Sequence, residues 1–298
     1  MAATIGYLGP EGSHSHEALL ALLPKLGLSN AELVALPTLR RIGKALHEST
    51  VDAALMPVEN ALEGSIGETL ETVFLGSGSR AGDTVLPVLT ELAWPVAHAL
   101  ITKEATSTPI SHVISHPQAL AQCRETLIAL YGDELIFHTA PSTAEAVSQL
   151  AHQPSTWAAL GTQQAANNTG CLVLNPNVSD SPDNATRFWL IAAANKASLI
   201  SQAELSQTNN KIAVGCSLCI GLVDRPGVLV DALLVLKAYG ITMTRIESRP
   251  ARSRLGEYLF FIDVACDLNA PEYERVRLFL QSDATLWRLS TAYPALTV

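Results

Sequence analysis

Polar side chains able to hold an anion or assist a leaving group collect at four junctions between apolar runs. Gly9-Pro-Glu-Gly-Ser-His-Ser-His16 lies between a strand-like run and a helix. Its glycines let the backbone turn tightly, and the helix start offers unpaired N–H groups to an anion. An ordinary β–α turn capped by Ser13 or Ser15 accounts for the same residues. Pro57-Val-Glu-Asn-Ala-Leu-Glu-Gly-Ser-Ile-Gly-Glu-Thr69 sets Glu59 and Asn60 at the carboxyl end of a buried strand, where open α/β sheets place their ligands. In Ser115-His-Pro-Gln-Ala-Leu-Ala-Gln122, Ser115 suits an N-cap, with Pro117 in the first turn and Gln118 at the capping-box position. Capping leaves Gln122, on the same helical face as Gln118, unexplained. Asn184-Ala-Thr-Arg-Phe-Trp-Leu190 adds the Thr186 hydroxyl and the Arg187 cation, which can grip a carboxylate through paired hydrogen bonds.

These residues need a frame. From residue 3 to about 194 short apolar runs alternate with amphipathic stretches, the pattern of an α/β domain. Strands are predicted over 4–8, 53–56, 99–101, 113–114, 158–160 and 189–192, and helices over 15–23, 38–48, 118–131 and 143–152. Residues 195–210, rich in Ser, Gln and Asn, form a predicted linker. A second unit, 211–298, reads strand 212–222, helix 228–239, strands 241–248 and 258–264, helix 271–281 and a strand near 286–290. That βαββαβ order is ferredoxin-like. It carries no acid–base cluster, so the chemistry is expected in residues 1–194 and sensing or assembly in the remainder.

Composition narrows the function classes. The 298 residues are 48% hydrophobic and 16% charged, below the ~25% charged of an average soluble chain. That points to extensive internal or subunit burial. With 19 basic residues against 28 acidic ones and no basic cluster, nucleic acid is not an expected partner. The most apolar stretch, Val85 to Thr102, is interrupted by Pro87, Glu91 and Pro95, so no membrane span is expected. The N-terminus lacks a signal-peptide pattern, and a cytoplasmic location is expected. Cysteines 123, 171, 216, 219 and 266 form no disulfide framework. Cys216-Ser-Leu-Cys219 lacks a second ligand pair for zinc and sits in a strand, where residues three apart face opposite ways. No metal site is expected.

In their order and spacing, Tyr7-Leu-Gly-Pro-Glu-Gly-Ser13, Pro57-Val-Glu-Asn60, Ser115–Gln122 and Thr186-Arg-Phe188 resemble the catalytic-domain motifs of prephenate dehydratases that carry a C-terminal ACT domain. Asp224-Arg-Pro-Gly-Val-Leu-Val230 and Arg245-Ile-Glu-Ser-Arg-Pro250 resemble that family's two phenylalanine-binding motifs. The resemblance implies a two-lobed catalytic domain, similar to periplasmic binding proteins, followed by a ferredoxin-like ACT domain. It implies conversion of prephenate to phenylpyruvate with loss of water and CO2, no cofactor, and a homodimer or homotetramer.

Carried over residue by residue, it assigns catalysis to Thr186, Asn60, Ser115, Gln122 and Glu59. Ser13, Arg187 and Phe188 are expected to bind substrate, with Arg187 on a carboxylate and Phe188 as an apolar wall. Gly227, Val228, Leu229, Val230, Glu247, Ser248, Arg249 and Pro250 are expected to bind L-phenylalanine as effector. Two departures stand out: His14 where the family commonly has phenylalanine, and Ala61 where it has serine. Arogenate dehydration and non-catalytic amino-acid sensing are the competing readings.

Overall fold

The computed structural model describes residues 2–76, 85–105, 108–199, 213–252, 254 and 256–297. Two sheets divide the first 199 residues into lobes. The chain begins with β1 (Thr4–Leu8), α1 (His14–Leu22), β2 (Glu32–Leu36), α2 (Leu39–His47), β3 (Ala53–Asn60), the short β4 (Gly64–Ser65), α3 (Gly67–Leu75) and β5 (Val88–Pro95). It then crosses to a second lobe made of β6 (Ala99–Thr102), β7 (His112–Ser115), α4 (Pro117–Gln122), α5 (Arg124–Tyr131), β8 (Ile136–Thr139), α6 (Thr143–Gln149), β9 (Trp157–Gly161), α7 (Gln163–Thr169) and β10 (Leu172–Asn175). β11 (Ala185–Ala192) returns to the first sheet, between β5 and β3. The second lobe's sheet runs β10-β6-β9-β7-β8.

Local signals explain most of these elements. Thr38 caps α2 by accepting from the Arg41 N–H, and Ile42, Ala45 and Leu46 turn inward while Arg40, Arg41 and Lys44 do not. β3 is buried along nearly its whole length, as expected of a central strand. The helix predicted over 118–131 breaks at Cys123. Asp180, from a distant loop, accepts from the N–H groups of Glu125 and Thr126 and so caps a second helix there. The predicted helices 143–152 and 271–281 likewise include one 3₁₀ turn each, Leu150–His152 and Pro271–Tyr273.

The third unit contains β12 (Ala213–Leu222), α8 (Val228–Ala238), β13 (Met243–Pro250), β14 (Tyr258–Val264), α9 (Glu274–Ser282) and β15 (Ala284–Leu289). Its antiparallel order β13-β14-β12-β15 is ferredoxin-like. Cys216 packs against Leu218 and Ile220 on the helix side, and Cys219 against Phe261 on the other. The two thiols face opposite ways, as the strand reading requires. Of the predicted linker, residues 200–210 lie outside the described residues, as does Ile212.

A final strand, β16 (Tyr293–Thr297), is absent from the sequence expectation. It pairs antiparallel with the start of β12 and parallel with β5, fusing the third unit's sheet to that of the first lobe. Phe261, Leu259 and Cys219 share one core cluster with Val58, Phe74 and Trp189. The helix-free face of the ferredoxin-like sheet therefore packs directly on the first lobe.

Candidate active site

The site is built on the β3–β11 pair, where Thr186 lies directly opposite Asn60 and Arg187 opposite Glu59. Alternation along both strands sends the two pairs to opposite faces. On one face, Asn60 Nδ2 donates to Thr186 Oγ1 at 3.0 Å and to Asn184 Oδ1 at 2.9 Å. Asn60 Oδ1 accepts from the backbone N–H groups of Leu62 and Glu63. Those backbone donors fix the orientation of the Asn60 amide, and everything beyond follows from it. Asn184 must accept from Asn60 and so donates, through Nδ2, to Gln122 Oε1 at 3.3 Å. Gln122 Oε1 in turn accepts from His98 Nε2 at 3.0 Å. The hydrogen-bond chain thereby joins the first lobe, the crossing segment and α4 of the second lobe.

This polarity has a chemical consequence. Thr186 Oγ1 is an acceptor toward Asn60, which leaves its own proton to be donated elsewhere. Thr186, Asn60 and Asn184 are all buried, so that donor acts where water competes weakly. Asn184 and His98 join the expected residues at this site. Asn184 sits two residues before Thr186 in the same motif, whereas nothing local in the sequence marks His98.

On the other face, Arg187 does not point toward Thr186. Its guanidinium bonds Glu59 (2.7 Å), Glu91 (2.6 Å) and Asp263 (3.1 Å), the last from β14 of the ferredoxin-like unit. Burial opposes the charge, but Glu91, Asp263 and Glu59 outweigh it and hold Arg187 protonated. Burial would likewise raise the Asp263 carboxyl, yet Arg245 and Arg187 hold it below the usual carboxylate range. Arg187 and Glu59, expected to bind substrate and to act in catalysis, thus lie on the face away from Thr186, where three carboxylates share the cation.

The other expected residues fall as follows. Ser13 caps α1, accepting from the His16 N–H and donating to Leu8 O, so its hydroxyl is used locally. Ser115 is fully buried and donates to Leu160 O, tying β7 to β9. The cap of α4 is His116, whose Nδ1 accepts from the Gln118 N–H, rather than Ser115. Phe188 is a core residue with Tyr7, Leu55 and Leu92 rather than a cleft wall. Gln122 does join the Thr186 network.

In the ferredoxin-like unit, Gly227 precedes α8 with φ +81°, a conformation that favours glycine. Val228 and Pro250, one from each effector motif, line a common groove of about 1730 Å³ against α2 and α3. Leu229 is half-buried, and Val230 and Ser248 are exposed. Glu247 and Arg249 are engaged with neighbours: Glu247 bonds Arg245 and Arg249, and Arg249 reaches Glu71 of α3. A Cβ at Gly67 would overlap the Arg249 guanidinium, so glycine there permits the close approach. Arg225 bridges Asp231 and Asp283, anchoring the turn before α8.

Among the described residues no cluster of ligating side chains could hold a metal ion, and no helix is long and apolar enough to cross a membrane. The geometry defines an interlobe hydroxyl–amide site with a ferredoxin-like unit docked behind it. A family model described as prephenate dehydratase matches residues 5–196. The chain is 32% identical over 261 residues to the prephenate dehydratase of Lactococcus lactis subsp. cremoris (strain MG1363), covering 87% of this chain and 86% of that one. It is 33% identical over 268 residues to that of Mycobacterium leprae (strain Br4923), covering 88% and 77%. This chain belongs to the prephenate dehydratase family.

Solved structures agree on the fold. The prephenate dehydratase of Arthrobacter aurescens in complex with L-Phe matches with a TM-score of 0.78 at 24% identity, covering 99% of this chain and 93% of that one. GqqA, described as a novel type of quorum quenching acylase, matches with a TM-score of 0.78 at 23% identity and 98% coverage of both chains. One fold thus carries more than one named activity, and function has to be argued from the site.

Proposed function

We propose that this chain is a cytoplasmic prephenate dehydratase, a carbon–oxygen lyase that forms phenylpyruvate, water and CO2. The observation that carries the reading is the Asn60–Thr186 hydrogen bond, whose direction leaves the Thr186 O–H free to donate. Elimination from prephenate breaks the bond between the ring and its carboxylate. That electron pair passes through the ring and expels the hydroxyl on the opposite carbon, and the ring becomes aromatic. Aromatisation supplies the driving force, so no electron-sink cofactor is required. Thr186 hydrogen-bonds the departing hydroxyl, which leaves as water after taking up a proton from solvent. Such assistance contributes typically ~10²–10⁴-fold, and holding the ring in place adds several kcal/mol. Asn60, Asn184 and Gln122 fix the donor, and the first turn of α1 offers N–H groups to a carboxylate. Ser115 and Glu59 act from behind the site, one joining strands and the other holding Arg187.

Residues 1–194 form the catalytic domain in this reading, 195–210 the linker and 211–298 an ACT domain that binds L-phenylalanine. Three features support feedback regulation: the L-Phe complex of the Arthrobacter protein, the two effector motifs, and the ion network running from Glu247 through Arg245 and Asp263 to Arg187. Arg187 is chain-adjacent to Thr186, so a shift of β13 reaches the catalytic strand directly. The exposed apolar residues Val230 and Leu234 on α8 and Leu278 and Phe279 on α9 suit assembly of this unit into a homodimer or homotetramer. Purified protein assayed for phenylpyruvate formation from prephenate, with and without phenylalanine, tests the whole reading. Absence of turnover removes it.

A further inference from the structure

Three ring nitrogens near the crossing segment between the lobes have no hydrogen-bond partner among the described residues: both of His14 and Nδ1 of His98. The two rings stand edge to face, with centroids 5.2 Å apart. His98 is only 4% exposed, and its Nε2 is hydrogen-bonded to Gln122. Burying such groups without a partner costs about 1–3 kcal/mol each, so the pair is an expensive feature of the fold.

The tautomer of His98 follows from the Thr186 network. Gln122 Oε1 already accepts from Asn184, so His98 Nε2 must carry the proton and His98 Nδ1 must present a lone pair. Neutral His14 adds one N–H and one further lone pair. Burial, reinforced by His98, lowers the His14 pKa to about 3, which keeps the ring uncharged across the physiological range. The pair therefore offers two acceptors and one donor, with no net charge. A carboxylate has no proton for those acceptors. An ammonium donates to both lone pairs, while a keto oxygen can use only the single N–H.

Thr186 takes the ring hydroxyl in the proposed function, and prephenate's side chain lies on the opposite carbon of the ring. With the ring hydroxyl at Thr186, the side chain is assigned to the other end of the hydrogen-bond network, where the polar pair lies. The first turn of α1, which contains His14, also offers N–H groups to the side-chain carboxylate. Adjacent acceptors for an ammonium and donors for a carboxylate together suit a 2-amino acid.

We propose that His14, paired with His98, is a specificity-determining residue that reads the substrate's side-chain 2-substituent and admits a 2-amino as well as a 2-keto group. This rests on the dehydratase reading above. The test is kcat/KM for prephenate and for its 2-amino counterpart, measured on wild type, His14→Phe and His14→Gln. Phenylalanine keeps a ring in place and removes both nitrogens. Glutamine restores a donor and an acceptor, and covers the case in which the first variant fails to fold.

Wild type should turn over both substrates. In His14→Phe the amino-to-keto ratio of kcat/KM should fall about tenfold or more, the worth of a hydrogen bond to a charged group, and His14→Gln should recover most of it. A wild type that turns over only the keto substrate, or a ratio unchanged in both variants, overturns the proposal. A wild type inactive on both substrates overturns the dehydratase reading instead.

Discussion

Arg187 Nη2 lies 3.1 Å from Asp263 Oδ2, joining the strand that carries Thr186 to the central region of the ferredoxin-like sheet. Asp263 is 1% exposed and also accepts from Arg245 and Ser217. Removing one partner of a buried ion pair leaves the other charge stranded, at a cost of about 3–5 kcal/mol. Arg187→Ala should therefore lower the melting temperature substantially. Arg187→Lys should keep the KM for prephenate within about threefold of wild type while weakening phenylalanine inhibition, since the side chain faces the ferredoxin-like unit. A large rise in KM with inhibition intact would return Arg187 to substrate binding.

β16 makes a separate structural prediction. It is the strand that hydrogen-bonds both β12 and β5, and Tyr293 packs on Trp189 while its hydroxyl meets Ser217. Truncation before Tyr293 should uncouple the two parts of the chain. Limited proteolysis should then release the first 199 residues faster than from the intact protein, and phenylalanine should no longer inhibit. Unchanged proteolysis would mean that the shared core holds the units together without the strand.

His14 gives the protein a pH dependence of definite sign. Its ordinary value is 6.5, and burial lowers it to about 3 in the folded chain. Between those values the unfolded chain binds the extra proton and the folded chain does not, so stability is lost as pH falls through that window. His98 and His16 are shifted in the same direction, burial being the main cause for each. The melting temperature of His14→Phe should exceed that of wild type, by a margin that grows from about pH 8 to about pH 5. A constant margin would show that His14 does not titrate on unfolding.

The thiols should sort by burial. Cys123, Cys216 and Cys219 are buried and pushed up to about 12, chiefly by burial. Cys171 and Cys266 are partly exposed. An aromatic disulfide reagent should label the latter two in native protein and reach the other three only on unfolding, because the thiolate is the reactive form. Rapid labelling of Cys216 or Cys219 would contradict the sheet packing described for them.

Much of this was legible in the sequence. Strands such as Thr4–Leu8 and Tyr258–Val264 announce themselves by apolar runs between turn residues, and their bounds agree with the structure. β2, β8 and β10, half-exposed in their sheets, give a weaker signal, and β16 exists because β5 and β12 offer it edges. The helix break at Cys123 depends on Asp180, a residue far along the chain. The site divides in the same way. Thr186, Asn60 and Gln122 are legible as polar residues at strand and helix ends. That Glu59 and Arg187 turn away from them follows from strand alternation, once β3 is known to continue through Asn60.

The central claim is that Asn60 orients the Thr186 hydroxyl as a donor to the departing hydroxyl. Single-turnover conversion of prephenate to phenylpyruvate tests it most directly, comparing wild type with Thr186→Ser, Thr186→Val and Asn60→Asp. Thr186→Ser keeps the donor and should stay within about tenfold of wild type. Thr186→Val should lose roughly 10²–10⁴-fold in rate. Asn60→Asp, which replaces the amide donor to Thr186 Oγ1 with an acceptor and so competes for the threonine proton, should fall nearly as far. A folded Thr186→Val enzyme turning over prephenate near the wild-type rate would contradict the account.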